Sequence, residues 1–239
     1  MHLSYTDERQ YPDFRQLAAD GDYTSAITAV LISHYHLDHI GALPLLTETC
    51  GYRGPVVMSQ PTQAVSSILL KDYRKIIAKK TGEDIFTDAD VDNCLSRFTP
   101  IAVQETLVVK DNLRITAHYA GHVLGAVMFE IECRGRKVVY TGDFNTTPDR
   151  HLGPADIRQL NPDVLITEST FATTAKAVRR KREMEFVEAV AKSVSAGGKV
   201  LIPTFAVGKL QELALLLAQE LPLLGVEVYT LILISSPLP

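Results

Sequence analysis

A chain of 239 residues that is 46% hydrophobic and 22% charged carries enough apolar material for one large or two small globular domains, which excludes a disordered protein. Its formal net charge of −4 excludes nucleic-acid binding by bulk electrostatics, so a polyanionic substrate would have to be gripped locally. Three scattered cysteines, Cys50, Cys94 and Cys133, support neither a disulfide framework nor a cysteine-based zinc knuckle and favour a reducing compartment.

Residues 1–26 are polar and turn-rich, without the apolar core of a signal peptide. A nearly continuous apolar run over 27–33 predicts a strand buried on both faces. It ends in His34-Tyr35-His36-Leu37-Asp38-His39, and a helix is expected from Ile40 to Thr49. Three imidazoles and a carboxylate within six residues are a metal-binding pattern, since neutral imidazole and carboxylate are good ligands for zinc and similar divalent ions. His34 and His36, two apart in extended chain, project to one side and can hold one ion. Asp38 and His39, on the next turn, can reach a second.

A strand over 55–59 precedes a helix over 61–80 whose expected buried face is Val65, Ile68, Leu69, Tyr73 and Ile76. A second helix over 87–98 opens with a Thr cap and an acidic first turn. From 100 to 142 the period changes to two, predicting an antiparallel meander of strands over 101–103, 106–109, 113–118, 126–133 and 137–141. A further buried strand is expected over 163–168. After a boundary near 170–174 the pattern becomes helix (176–196), strand (199–203), helix (209–221) and strand (227–234). The apolar run from 221 to 239, broken by Glu227 and three prolines, is too short to span a membrane, so a soluble protein without a membrane partner is expected.

Two more strand ends carry suitable chemistry: Gly121-His122 and Gly142-Asp143, where glycine allows a sharp turn that exposes the next side chain. His122 alone would serve equally as a surface histidine; beside the first motif it becomes a ligand. Asp143 is a candidate bridging carboxylate, against a plain turn-forming aspartate, because ions about 3.5–4 Å apart need an anion between them. Glu168 is an acid at a strand terminus that would hold a general acid rather than a metal, unless it is merely exposed. His118 reads as packing, His151 as a loop former near the site, and the run Arg179-Arg180-Lys181-Arg182 as a solvated helix face more than an RNA contact.

The ordered set of strand, His-x-His-x-Asp-His, Gly-His and Gly-Asp resembles the metallo-β-lactamase superfamily. Ile166-Thr167-Glu168-Ser169-Thr170-Phe171 and Gly197-Gly198-Lys199-Val200-Leu201-Ile202-Pro203-Thr204-Phe205-Ala206-Val207-Gly208 look like the entry into the β-CASP domain of RNA-processing nucleases. Pro61-Thr62-Gln63-Ala64 and Thr147-Pro148-Asp149-Arg150-His151-Leu152-Gly153 favour the Integrator type, with the endonucleases of the cleavage and polyadenylation specificity factor as near relatives.

The resemblance implies an α/β (α+β sandwich) chain with the metallo-β-lactamase αββα fold, lacking its first strands, over 1–172, followed by the beginning of a β-CASP domain over 173–239. It implies that His34, His36 and His122 hold one Zn2+, that Asp38 and His39 hold a second, and that Asp143 bridges. Asp38 and Glu168 would be the catalytic carboxylates, Glu168 by orienting a histidine. The implied activity is hydrolysis of RNA phosphodiesters in the 3′-end processing of small nuclear and other nascent RNAs. Integrator-type subunits would be the partners, and the location the nucleus and cytoplasm. The family's opening Asp-x-Gly turn and its histidines downstream of His151 have no counterpart here, so the second zinc site is expected to be incomplete and the chain alone, an inactive fragment, to cut RNA poorly or not at all. The competing expectations are a catalytically dead scaffold and a hydrolase of small molecules, the latter disfavoured by the segment after Thr174.

Overall fold

The computed structural model describes residues 5, 7–82, 85–158, 160–174 and 178–226. The chain forms two compact units, the first comprising Met1–Pro148 and Pro154–Glu168, the second Asp149–Gly153 and Ser169–Pro239.

The first unit is built on two sheets. β1 (Val30–Leu31), β2 (Val56–Met58) and β3 (Phe98–Pro100) form a parallel sheet in that order. β4 (Thr106–Val108), β5 (Arg114–Tyr119), β6 (Val127–Cys133) and β7 (Arg136–Tyr140) form the antiparallel meander, and β8 (Val164–Ile166) joins it parallel to β7. The sheets face each other across one apolar layer. Val57, Leu31 and Ile101 from the first meet Ile115, Ala117, Val127 and Phe129 from the second. On the other face of the parallel sheet, Val30, Ile32, Val56 and Met58 pack with Leu70, Val91, Cys94 and Leu95 of two helices. The alternation of Val30 and Ile32 with Leu31 between these layers is what a strand covered on both sides requires.

Those helices are α3 (Gln60–Thr81) and α4 (Asp88–Ser96), which follow the short helices α1 (Tyr23–Ala26) and α2 (Leu37–Ile40). Thr87 caps α4 and shares a reciprocal capping box with Asp90. Ser59 caps α3 by accepting the Thr62 amide at 3.3 Å, and its hydroxyl donates to the Gly125 carbonyl at 2.6 Å.

Several expectations need correction. Ile68 and Ile76 of α3 face outward, at 71% and 45% exposure. The buried stripe is Thr62, Ser66, Leu70 and Ile77, which starts with two small hydroxyl residues because the helix entry lies against Gly125 and Ser66 can return its proton to the Thr62 carbonyl at 2.6 Å. The strand placed over 101–103 lies instead at Phe98–Pro100 and belongs to the parallel sheet. The expected helix over 40–49 is divided into α2 and a π-type turn at Leu45–Thr49, on either side of the Pro44 region. β8 is exposed along its length, not buried.

In the second unit, α5 (Arg179–Ser195) and α6 (Lys209–Glu220) bury Val187, Val190, Ala191 and Leu216 with Leu221 and Val226. Residues 199–203 form no strand, and Leu201 stands 81% exposed. The strand expected over 227–234 lies outside the described residues. Arg179 is no solvated cation. It bonds to Asp149 at 2.9 Å, to Glu183 and to Glu212, while Arg150 forks onto Glu183 at 2.7 and 2.9 Å and His151 Nδ1 meets Glu212 at 2.9 Å. This network fastens the 149–153 loop to both helices. The Arg150 hydrogen bond, assisted by Arg179, holds the Glu183 carboxyl down to about 2.

Candidate metal centre

The site lies where four chain turns meet. Beyond β1 the backbone stays extended through His36, at φ −62° and ψ 142°, so His34 and His36 fall on one side, with His34 Nε2 and His36 Nδ1 2.9 Å apart. α2 then lifts Asp38 and His39 onto the neighbouring face, and His39 Nε2 lies 3.4 Å from Asp38 Oδ2. The turn between β5 and β6 delivers His122, whose Nε2 is 3.2 Å from His36 Nδ1. The turn after β7 delivers Asp143.

Gly142 makes the last turn possible. Its φ is +51°, and a Cβ there would stand 2.6 Å from Ser33 Cβ. Only a residue without a side chain brings the Asp143 turn this close to the first motif. The turn is fastened to the end of β8 as well: the Thr141 amide donates to the Ile166 carbonyl at 3.0 Å, Thr141 Oγ1 to Thr167 Oγ1 at 3.1 Å, and the Phe144 amide to Glu168 Oε1 at 3.3 Å.

Asp143 faces two ways. Its Oδ2 lies 3.6 Å from His122 Nε2 and 3.9 Å from His34 Nε2, and its Oδ1 lies 3.3 Å from His39 Nε2. One donor atom from each of His34, His36, His122 and Asp143 falls within 4.8 Å of all the others. The edge of a tetrahedron of nitrogens about 2.0–2.1 Å from zinc is about 3.3–3.4 Å, so the spacings of 2.9 and 3.2 Å between ring nitrogens fit one small divalent ion. His39, between Asp38 and Asp143, offers the start of a second ligand set beside it.

The electrostatics suit ligation. Burial, followed by the other three imidazoles, pulls His34 down to about 2. Burial and then His122 lower His36. Both rings are therefore neutral at physiological pH with a lone pair to offer. Burial also pulls on His39, but its hydrogen bond to Asp38 and the charges of Asp143 and Asp38 outweigh it, and its affinity for a proton rises. The bond to His39 holds the Asp38 carboxyl well below its usual range.

His118 stays apart, half-buried in β5 with Glu130 Oε2 3.9 Å from its Nε2. His151 belongs to the second unit and is engaged by Glu212. Glu168 meets the Phe144 amide, next in sequence to Asp143, a contact that sequence alone does not announce. Ser33 was likewise missed, although its hydroxyl lies 3.1 Å from His34 Nδ1. Its only signal was its place immediately before the motif.

A family model described as the metallo-beta-lactamase superfamily domain matches residues 6–171. The chain is 50% identical over 218 residues to the Integrator complex subunit 11 homolog of Dictyostelium discoideum, covering 91% of this chain and 29% of that protein. It is 48% identical over 218 residues to the cleavage and polyadenylation specificity factor subunit 3-II of Arabidopsis thaliana, covering 91% and 36%. With endoribonuclease YSH1 of Kluyveromyces lactis it shares 40% identity over 200 residues, covering 81% and 26%. The chain thus spans about a third of the length of these curated relatives. With the family model spanning the whole stretch that carries the histidine and aspartate cluster, this chain belongs to the metallo-β-lactamase superfamily.

Proposed function

We propose that the cluster binds two zinc ions and serves the hydrolysis of RNA phosphodiesters, as part of an Integrator-type endonuclease that processes the 3′ ends of small nuclear and other nascent RNAs. The observation that carries this reading is the Asp143 carboxylate, one oxygen turned toward His34 and His122 and the other toward His39. Such a pair of ions supplies an activated water and neutralises charge on the phosphate.

The chain's own residues set up that chemistry. His34, His36 and His122 offer neutral ring nitrogens on one side, Asp38 and His39 a mixed pair on the other, and Asp143 the shared carboxylate. Glu168 steadies the Asp143 turn through the Phe144 amide. In this reading residues 1–172 are the catalytic domain and 173–239 begin a β-CASP domain. The substrate is RNA, the partners are Integrator-type subunits, and the site of action is the nucleus. Among the described residues no helix is long and apolar enough to cross a membrane.

The test is metal counting on the purified chain together with single-turnover cleavage of a labelled RNA at high protein concentration. Zinc binding near two per chain and slow endonucleolytic cleavage that a chelator and Asp143→Ala both abolish are expected. Absence of bound zinc, or cleavage insensitive to chelation, refutes the reading. Two bound ions with no cleavage would transfer the case to a scaffold role.

A further inference from the structure

The ring of His34 is fully buried, with one nitrogen on each side of a boundary. Nε2 faces the cluster, 2.9 Å from His36 Nδ1 and 3.9 Å from Asp143 Oδ2. Nδ1 faces away, 3.1 Å from the hydroxyl of Ser33. A neutral imidazole has one proton to place. With the proton on Nδ1, the Nε2 lone pair is free for a metal; with it on Nε2, the cluster loses a donor.

Ser33 is placed to decide between these states. It is 2% exposed, so bulk water does not compete for its hydroxyl. Its carbonyl accepts the Val127 amide at 2.9 Å, anchoring it to the start of β6. Gly142, just before Asp143, leaves only the space its side chain needs, since a Cβ there would stand 2.7 Å from Oγ. At 3.1 Å from Nδ1, Oγ can accept the ring proton. Three stretches meet at this one residue: the segment after β1 that carries His34, the start of β6, and the turn after β7 that carries Asp143.

We propose that Ser33 is a positioning residue for the metal cluster: its hydroxyl accepts the Nδ1 proton of His34 and so fixes the tautomer whose Nε2 lone pair points at the ligand group. The inference rests on the metal reading above and deepens it. A hydrogen-bond acceptor behind a metal-binding imidazole fixes both tautomer and ring angle, and removal of such partners typically costs about 10–100-fold in metal affinity.

The experiment uses the full 239-residue chain with zinc removed by chelation and then restored. Long-range proton–nitrogen correlation spectra of the His34 ring, assigned with His34→Gln, report which nitrogen carries the proton. In the wild-type chain without metal, Nδ1 protonated and Nε2 bare is expected. Ser33→Ala should give a mixture of tautomers and weaken zinc binding by about 10–100-fold. Ser33→Thr, which keeps the hydroxyl, should restore most of the loss. An Nε2-protonated ring in the wild-type chain overturns the proposal. So does a folded Ser33→Ala protein in which both tautomer and affinity match wild type. If the wild-type chain bound no zinc, every variant would show the same absence, which marks failure of the metal reading rather than of Ser33 alone.

Discussion

Replacing Asp143 with Ala tests whether one side chain serves both halves of the centre. Its Oδ2 faces His34 and His122 at 3.9 and 3.6 Å and its Oδ1 faces His39 at 3.3 Å, whereas Asp38 Oδ2 lies 3.4 Å from His39 Nε2. Asp143→Ala takes one of four donors from the first ion and the shared ligand from the second. Loss of a mere supporting group costs about 10–100-fold in affinity, so loss of a ligand is expected to cost at least about 100-fold for the first ion. At roughly 1.4 kcal/mol per tenfold that is about 3 kcal/mol or more. Asp38→Ala leaves all four donors of the first ion in place, so its effect belongs to the second ion. Metal counting after dialysis, with chelator competition for affinity, should give about two ions for wild type, about one for Asp38→Ala and fewer for Asp143→Ala. Matching circular dichroism spectra would establish that all three proteins are folded. Equal behaviour of the two variants, or undiminished binding in Asp143→Ala, would refute the shared-carboxylate geometry.

Other outcomes follow from packing and charge. Phe129, fully buried between the sheets, should cost about 3–5 kcal/mol when cut to Ala, read as a lower urea midpoint. Gly125→Ala would place a Cβ 2.8 Å from Pro61 Cβ and 2.9 Å from the Thr62 amide at a φ of +81°, forcing the entry of α3 to shift at a cost of roughly 1–3 kcal/mol by chemical denaturation. In the second unit, Glu183 is held at about 2, below its unfolded value near 4.3. Its contribution is therefore complete above that unfolded value and drains as pH falls toward 2. Amide exchange in α5 and α6 should lose protection between those limits, and Glu183→Gln should flatten the dependence; an unchanged profile would remove the network from the stability of this unit.

The metal motif could be read in the sequence because its chemistry is local. Two histidines separated by one residue at a strand end must share a side, and His34 and His36 do so with no help from distant chain. The cap at Thr87 and the change of period into the meander are equally short-range and lie within a few residues of where pattern placed them. Legibility failed wherever burial depended on a partner. Thr62 and Ser66 form the inner stripe of α3, in place of Ile68 and Ile76, because Gly125 approaches from 63 residues away and accepts their neighbour's proton. Arg179 sits in a run that composition reads as solvated, yet the 149–153 loop supplies the carboxylate and guanidinium that enclose it. Ser33 looks like any serine until Gly142 arrives from the turn after β7. Composition and spacing by themselves determined which side chains are chemically able to hold a metal. Which of them meet, at what distance and around which shared carboxylate was decided by the folding of two sheets onto each other, since contacts across 20 to 110 residues of chain have no local signature.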